Sequence, residues 1–408
     1  MKRAFYARLC VLAVALPAIA AAGASAPERL STEELRFLRQ HWKRPLLPQG
    51  RPPSSFSQVE ASLDPQDCGT CHPVQHADWK TSLHARSMGP GLTGQLVDMW
   101  QDDPQTAQQC LGCHAPLAEQ SPVLQRPSGT LAANPAFDAG LQREGLVCAA
   151  CHVREHRRYG PPPRGDRGRQ SGRRPHEGAT AATVFTRSAF CASCHQFEPD
   201  GFALNGKLLE NTYEEWKASP AAARDVTCQG CHMPGRRHLW RGIHDPEMVR
   251  QGLTITLTTD RARYAVGETL SARLVIENTG VGHYFPTYVT PRVVARLVVA
   301  DAMGHPLAGT REERVIAREV SLDLSREVAD TRIPPGGRFV FEYRRPLPRP
   351  HLRLQALVTV EPDAFYTRFF ESRLEAGAGA GAAELREALE STRRSAFNIF
   401  RKELPLTW

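Results

Sequence analysis

Cys68-Gly69-Thr70-Cys71-His72-Pro73-Val74-Gln75-His76-Ala77-Asp78-Trp79-Lys80-Thr81-Ser82-Leu83-His84-Ala85 opens with two thiols three positions apart and an imidazole directly after them. The same unit returns as Cys110, Cys113 and His114, as Cys148, Cys151 and His152, as Cys191, Cys194 and His195, and as Cys228, Cys231 and His232. Of the eleven cysteines only Cys10 stands outside these five units. Two thiols one helical turn apart can each add to a vinyl group of one porphyrin, and the adjacent histidine then swings under the ring to ligate iron. Zinc sites and disulfides use cysteine pairs as well. Neither needs a histidine after every pair, and five pairs leave a remainder when divided among four-cysteine zinc sites. The expectation is haem c, five copies covalently bound.

The first cysteines of successive units are 42, 38, 43 and 37 residues apart, and Cys68 to His232 spans 165 residues, or 33 per expected haem. That is too little protein to build a separate core around each cofactor. The haems must form the core themselves, packed close to one another.

Met1-Lys2-Arg3, an apolar run from Leu9 to Ala22 and the small residues Gly23-Ala24-Ser25-Ala26 read as a secretory signal over 1–26, with cleavage after Ala24 or Ala26. Cys10 would leave with it. No other segment approaches the roughly 18 apolar residues a membrane-spanning helix needs, so the mature chain is expected to lack one. A periplasmic location is expected, with the extracellular face as the alternative. The mature chain carries 48 basic and 43 acidic residues, or +5. Propionates and ferric iron on five haems would add about −5. The basic balance therefore does not argue for nucleic acid, and basic side chains are better read as propionate partners.

The expected fold class is α+β and multidomain. An N-terminal arm over 27–66 carries Ser31-Thr32-Glu33-Glu34, a capping box. A mainly helical and loop domain over 67–250 packs around the five haems. From Leu253 the apolar residues alternate, as in Leu270, Ala272, Leu274 and Ile276, and this predicts an immunoglobulin-like β-sandwich over 251–375. A C-terminal helix and tail over 376–408 would place Leu385, Leu389, Ala396 and Phe400 on one face. Between Arg157 and Gly178 a connection rich in Arg, Gly and Pro reads either as a solvated loop or as a docking surface for an acidic redox partner or anionic substrate.

A unit's own histidine covers one face of its iron, and the residue on the other face decides whether the haem only passes electrons or can bind a substrate. His84, His176, His244 and His283 are the expected sixth ligands, with His41, His76, His156 and His238 as alternatives. His76 and His156 follow a unit histidine by one turn and cannot reach round the same iron. Two glycines before His283 permit a tight loop that can press an imidazole onto a haem.

Trp79-x-x-Ser82-x-His84-Ala85 after a cysteine unit resembles the cytochrome c-554 family and the hydroxylamine oxidoreductase-like multihaem group, in which the histidine matching His84 ligates another haem. Gly242-Ile243-His244-Asp245 is similar to the same group, and Asn278 to Thr287 resembles a loop of related multihaem proteins with an appended sandwich. A partial second copy, Tyr213-Glu214-Glu215-Trp216-Lys217-Ala218-Ser219, has Ala221 at the ligand position and reads as scaffold. The resemblance runs from Trp42 to Thr287 and departs from both relatives in haem count.

Two functions follow as expectations. The first is electron relay through mostly bis-histidine haems, serving redox partner proteins such as a quinol-linked donor or a periplasmic reductase or oxidase. The second is a multihaem oxidoreductase with one open haem acting on a small nitrogen or sulfur compound. Enzyme status and catalytic residues are left open at this stage.

Overall fold

A computed structural model describes residues 28–126, 128–164 and 175–406. The expected signal and residues 165–174 of the basic connection, including Arg167, Arg169, Arg173 and Arg174, lie outside them. No helix among the described residues is long and apolar enough to cross a membrane.

The arm forms a helix over Thr32–His41, started by the capping box: Ser31 accepts from the Glu34 amide at 3.1 Å and Glu34 accepts from the Ser31 amide at 2.8 Å. Short helices follow, and each cysteine unit lies in or at the end of one: Pro65–Cys71, Pro104–His114, Cys148–His152, Ala189–His195 and Cys228–His232. Asp64, Asp103 and Thr227 cap three of these by accepting backbone amides. In each helix the paired thiols share a face one turn apart.

Beyond the helix Pro246–Gly252 the chain turns to antiparallel sheet. Strands β1 (Leu253–Thr259), β2 (Thr269–Asn278), β3 (Arg292–Ala300), β4 (Glu312–Ile316), β5 (Arg338–Pro346), β6 (Arg353–Glu361) and β7 (Phe397–Pro405) form two sheets. Their orders are β5-β2-β1 and β4-β3-β6-β7. Leu270, Ala272, Leu274 and Ile276 of β2 share one buried cluster with Leu354, Ala356, Val358 and Val360 of β6. The alternation seen in the sequence is the pleat pointing every second side chain into this shared core.

The final segment departs from the expected helix and tail. The helix Ala382–Arg393 buries Leu385 and Leu389, but it stops before Ala396, and Phe400 belongs to β7, paired with Val358 of β6. A further helix, Ala364–Glu375, lies within the segment expected to be all sheet. Both helices return to the cysteine-bearing region, where Ala382–Arg393 packs on Pro90–Asp102. A Cβ on Gly381 would sit 1.9 Å from the Gly94 carbonyl oxygen, so this close approach requires glycine at 381.

Candidate functional site

All five cysteine units face one continuous cavity of about 3860 Å³. A single small-molecule site occupies roughly 300–1,000 Å³, so the space suits several cofactors rather than one. Its wall is apolar where a flat ring would lie. Val59, Leu83, Phe202, Val226 and Tyr366 expose 36 to 48% of their surface, and all five line the cavity.

The ten cysteines are free, and among the described residues no group of three or more His, Cys, Asp or Glu is arranged to hold a bare metal ion. Thiols of different units are neighbours: Arg44 reaches both Cys113 Sγ at 3.3 Å and Cys194 Sγ at 2.9 Å, and Cys68 with Cys148 and Cys191 with Cys228 perturb one another's titration.

The unit histidines are oriented from behind. His114 Nδ1 lies 2.8 Å from the Ser87 carbonyl, His152 Nδ1 2.8 Å from that of Tyr159, and His232 Nδ1 2.6 Å from that of Arg241. His195 differs, with Nδ1 2.7 Å from the Tyr288 hydroxyl. An Nδ1–H held by an acceptor leaves Nε2 as the free lone pair, the arrangement a metal-bound histidine needs.

Three unit histidines have a second imidazole beside them. Ring centroids are 6.3 Å apart for His195 and His84, 6.2 Å for His152 and His238, and 6.4 Å for His232 and His283. Imidazole nitrogens bind transition metals at about 2 Å, so an ion between two opposed rings puts their centroids roughly 6 Å apart. His283 and His238 also have Nδ1 on a backbone carbonyl, at 2.9 and 3.1 Å. His176 completes a fourth association: it is near enough to His72 for its charge to add to burial in lowering the His72 pKa.

His244, favoured over His238 by the sequence, is placed differently. Its Nε2 lies 3.0 and 3.1 Å from the two Asp363 carboxylate oxygens, and its Nδ1 is buried without a partner. Among the described residues no imidazole faces His114 at the spacing of the three pairs. Tyr366 lines the same cavity as the His244–Asp363 pair and Cys110 of the second unit. His41 and His156 are spent on backbone, with Nε2 2.9 Å from the Cys151 carbonyl and 3.1 Å from that of Gly50. His76 stacks on Trp79. Sequence reasoning missed Asp363, Tyr366 and Tyr288, which carry no motif and reach the cavity only through the fold.

Burial lowers His84 to about 3 and His152, His195 and His283 to about 4, with neighbouring imidazoles adding to the effect.

Residues 67–153 match the family described as cytochrome c554 and c-prime. A penta-haem cytochrome c552 from Thermochromatium tepidum shares the fold, with TM-score 0.58 and 20% identity over 86% of this chain and 100% of that one. A CARDB domain from Pyrococcus furiosus aligns over 26% of this chain and 67% of its own, at 13% identity and TM-score 0.18, too low to carry an argument. No curated protein matches. The family match and shared fold support a multihaem c-type cytochrome. Haem binding and electron transfer are the corresponding chemistry, and the apolar cavity, the free thiol pairs and the oriented imidazoles fit that cofactor.

Proposed function

We propose that this chain is an exported, periplasmic cytochrome that binds five haems on its five cysteine units and relays electrons between redox partner proteins. The observation that carries the reading is the set of opposed imidazoles: His84 with His195, His238 with His152, and His283 with His232. Haem, when bound, supplies one-electron exchange at iron. Two imidazoles from a rigid scaffold keep the coordination the same in both oxidation states, so little rearranges on transfer. His176 is proposed as the sixth ligand opposite His72. Packing of Pro65–Cys71 on Cys148–His152, the Arg44 bridge between Cys113 and Cys194, and the Cys228 amide on Ser188 Oγ support a layout in which the first site adjoins the third, the second the fourth and the fourth the fifth. The two sheets, proposed as an immunoglobulin-like sandwich, contribute His283 and so belong to the redox unit.

A second reading has its own observation. Among the described residues His114 lacks an opposed imidazole, while His244, hydrogen-bonded to Asp363, and Tyr366 line the cavity that Cys110 also faces. This favours an open haem on the second unit, able to take a small nitrogen or sulfur compound, with the histidine and phenol as proton donors.

Electron paramagnetic resonance of the oxidised protein, together with a pyridine haemochrome count, tests both. The relay reading expects five haems per chain and low-spin signals from at least the three opposed pairs. One high-spin haem that binds cyanide adds the second reading. A count below five, or high-spin iron at most sites, overturns the relay.

A further inference from the structure

The residue before each tryptophan of the two related segments is an acid, Asp78 before Trp79 and Glu215 before Trp216. The two segments are used alike. Trp79 Nε1 donates to the Leu146 carbonyl at 2.8 Å, and Trp216 Nε1 donates to the Val226 carbonyl at 2.8 Å. Each accepting carbonyl lies two residues before a cysteine unit, at Cys148 and at Cys228. Both indoles are buried, and so are both carboxylates, with 4% of Asp78 and 7% of Glu215 exposed. A buried carboxylate needs charge-matched partners to remain there.

Those partners lie on the two loops that carry an opposed imidazole. Asp78 accepts from the backbone amide of His238 itself at 2.9 Å, and from Arg237 at 2.5 and 2.7 Å. Glu215 accepts from the amide of Tyr284, the residue after His283, at 3.1 Å, from Thr287 Oγ1 at 2.7 Å and from Arg332 at 2.8 Å. Arg332 also donates to the Thr287 carbonyl at 2.8 Å, closing the clamp on the same loop. The loop itself seats on the second segment: a Cβ on Gly282 would meet Ala221 at 3.1 Å and Trp216 at 3.3 Å. The His238 loop lies outside any strand, and Arg236 and Trp240 beside it have positive φ. Neither ligand-bearing residue lies in a strand; at His283 the Asn278 side chain also donates to the His283 carbonyl at 3.0 Å and Phe285 is bridged to Ile333, and the acid holds the stretch between.

We propose that Asp78 and Glu215 are positioning residues that fix the sixth ligands His238 and His283 by clamping the backbone of their loops. The segment without a histidine of its own is thereby more than packing, since through Glu215 it aims a histidine supplied by the distant sheet region. The inference rests on the bis-histidine reading above. A charge-assisted hydrogen bond to a backbone amide is short and strong, and losing it frees a loop whose imidazole must hold position to within about 0.5 Å.

The test uses the full-length holoprotein in six variants: His238→Ala, His283→Ala, Asp78→Ala, Glu215→Ala, Asp78→Asn and Glu215→Gln. Spin state by electron paramagnetic resonance, cyanide binding and midpoint potentials are read per haem, normalised to haem content. Each histidine variant is expected to turn one haem high-spin. Asp78→Ala is expected to lose low-spin signal from the same haem as His238→Ala, and Glu215→Ala from the same haem as His283→Ala. The amide variants, which keep an acceptor oxygen, should restore part of the signal. They also carry the readout should an alanine variant fail to accumulate. Histidine variants that leave every low-spin signal in place overturn the bis-histidine reading. Histidine variants that lose a signal while the acid variants keep wild-type spin state and potentials overturn this inference alone.

Discussion

A chain with all ten cysteines of the five units replaced by alanine is expected to lose its fold over 28–250 and to keep it over most of 253–406. The reason is where the apolar contacts lie. Among the described residues, the buried cluster of the two sheets holds 25 residues, whereas the clusters around Leu117 and Leu111 hold seven and five. A cavity of about 3860 Å³ separates those small clusters. The wall of that space exposes apolar side chains such as Leu83 and Phe202, and leaving such surface in water forgoes about 25 cal/mol per Å², so without a cofactor the region lacks the burial a folded domain needs. The sheets need no cofactor to bury their core; only the Gly282 to Tyr288 loop should loosen. Limited proteolysis with mass spectrometry checks this, with fragments near 253–406 surviving and the remainder digested. Protection of 28–250 in the cysteine-free chain would show that protein contacts alone form the core there.

The second large effect is expected at His84. Its ring lies 6.3 Å from that of His195 and 4.7 Å from Trp240, buried among the imidazoles of several units. Its backbone is fixed as well, the His84 carbonyl accepting from the Leu146 amide at 3.0 Å and from Ser87 Oγ at 2.9 Å. His84→Ala should leave that framework standing and remove the imidazole. One low-spin haem then becomes high-spin, and the enclosed gap is shaped for imidazole. Added imidazole is expected to restore the low-spin signal, which separates a lost ligand from a packing defect. An unchanged spectrum in His84→Ala, or one that imidazole does not restore, would remove His84 from the ligand set.

Much of the cavity was legible in the sequence because the chemistry is local. A thiol pair and the histidine after it are set by neighbours in the chain, so the five units could be read without a fold. His84 and His283 were singled out for a related reason, each lying in a short segment with its own signature. His238 stood only among the alternatives, because the contact that holds its backbone is with Asp78, 160 residues away in sequence. His244 carried the more suggestive local pattern, yet Asp363, on the far side of the sheet region in sequence, takes its Nε2. The end of the chain failed similarly. The helical spacing of Leu385 and Leu389 continues by chance through Ala396 to Phe400, and nothing local marks the switch. Pairing with β6 decides it, a tertiary contact overriding a weak local preference.

That last strand has a consequence for how the molecule is assembled. β7 completes the four-stranded sheet only after the chain has left β6, crossed to the cysteine-bearing region as two helices and returned. Those helices, anchored by Gly381 against Gly94, wall the cavity beside the second unit. One segment therefore serves two purposes, a strand of the sheet and a wall of the cavity, so a change that loosens either is felt in the other.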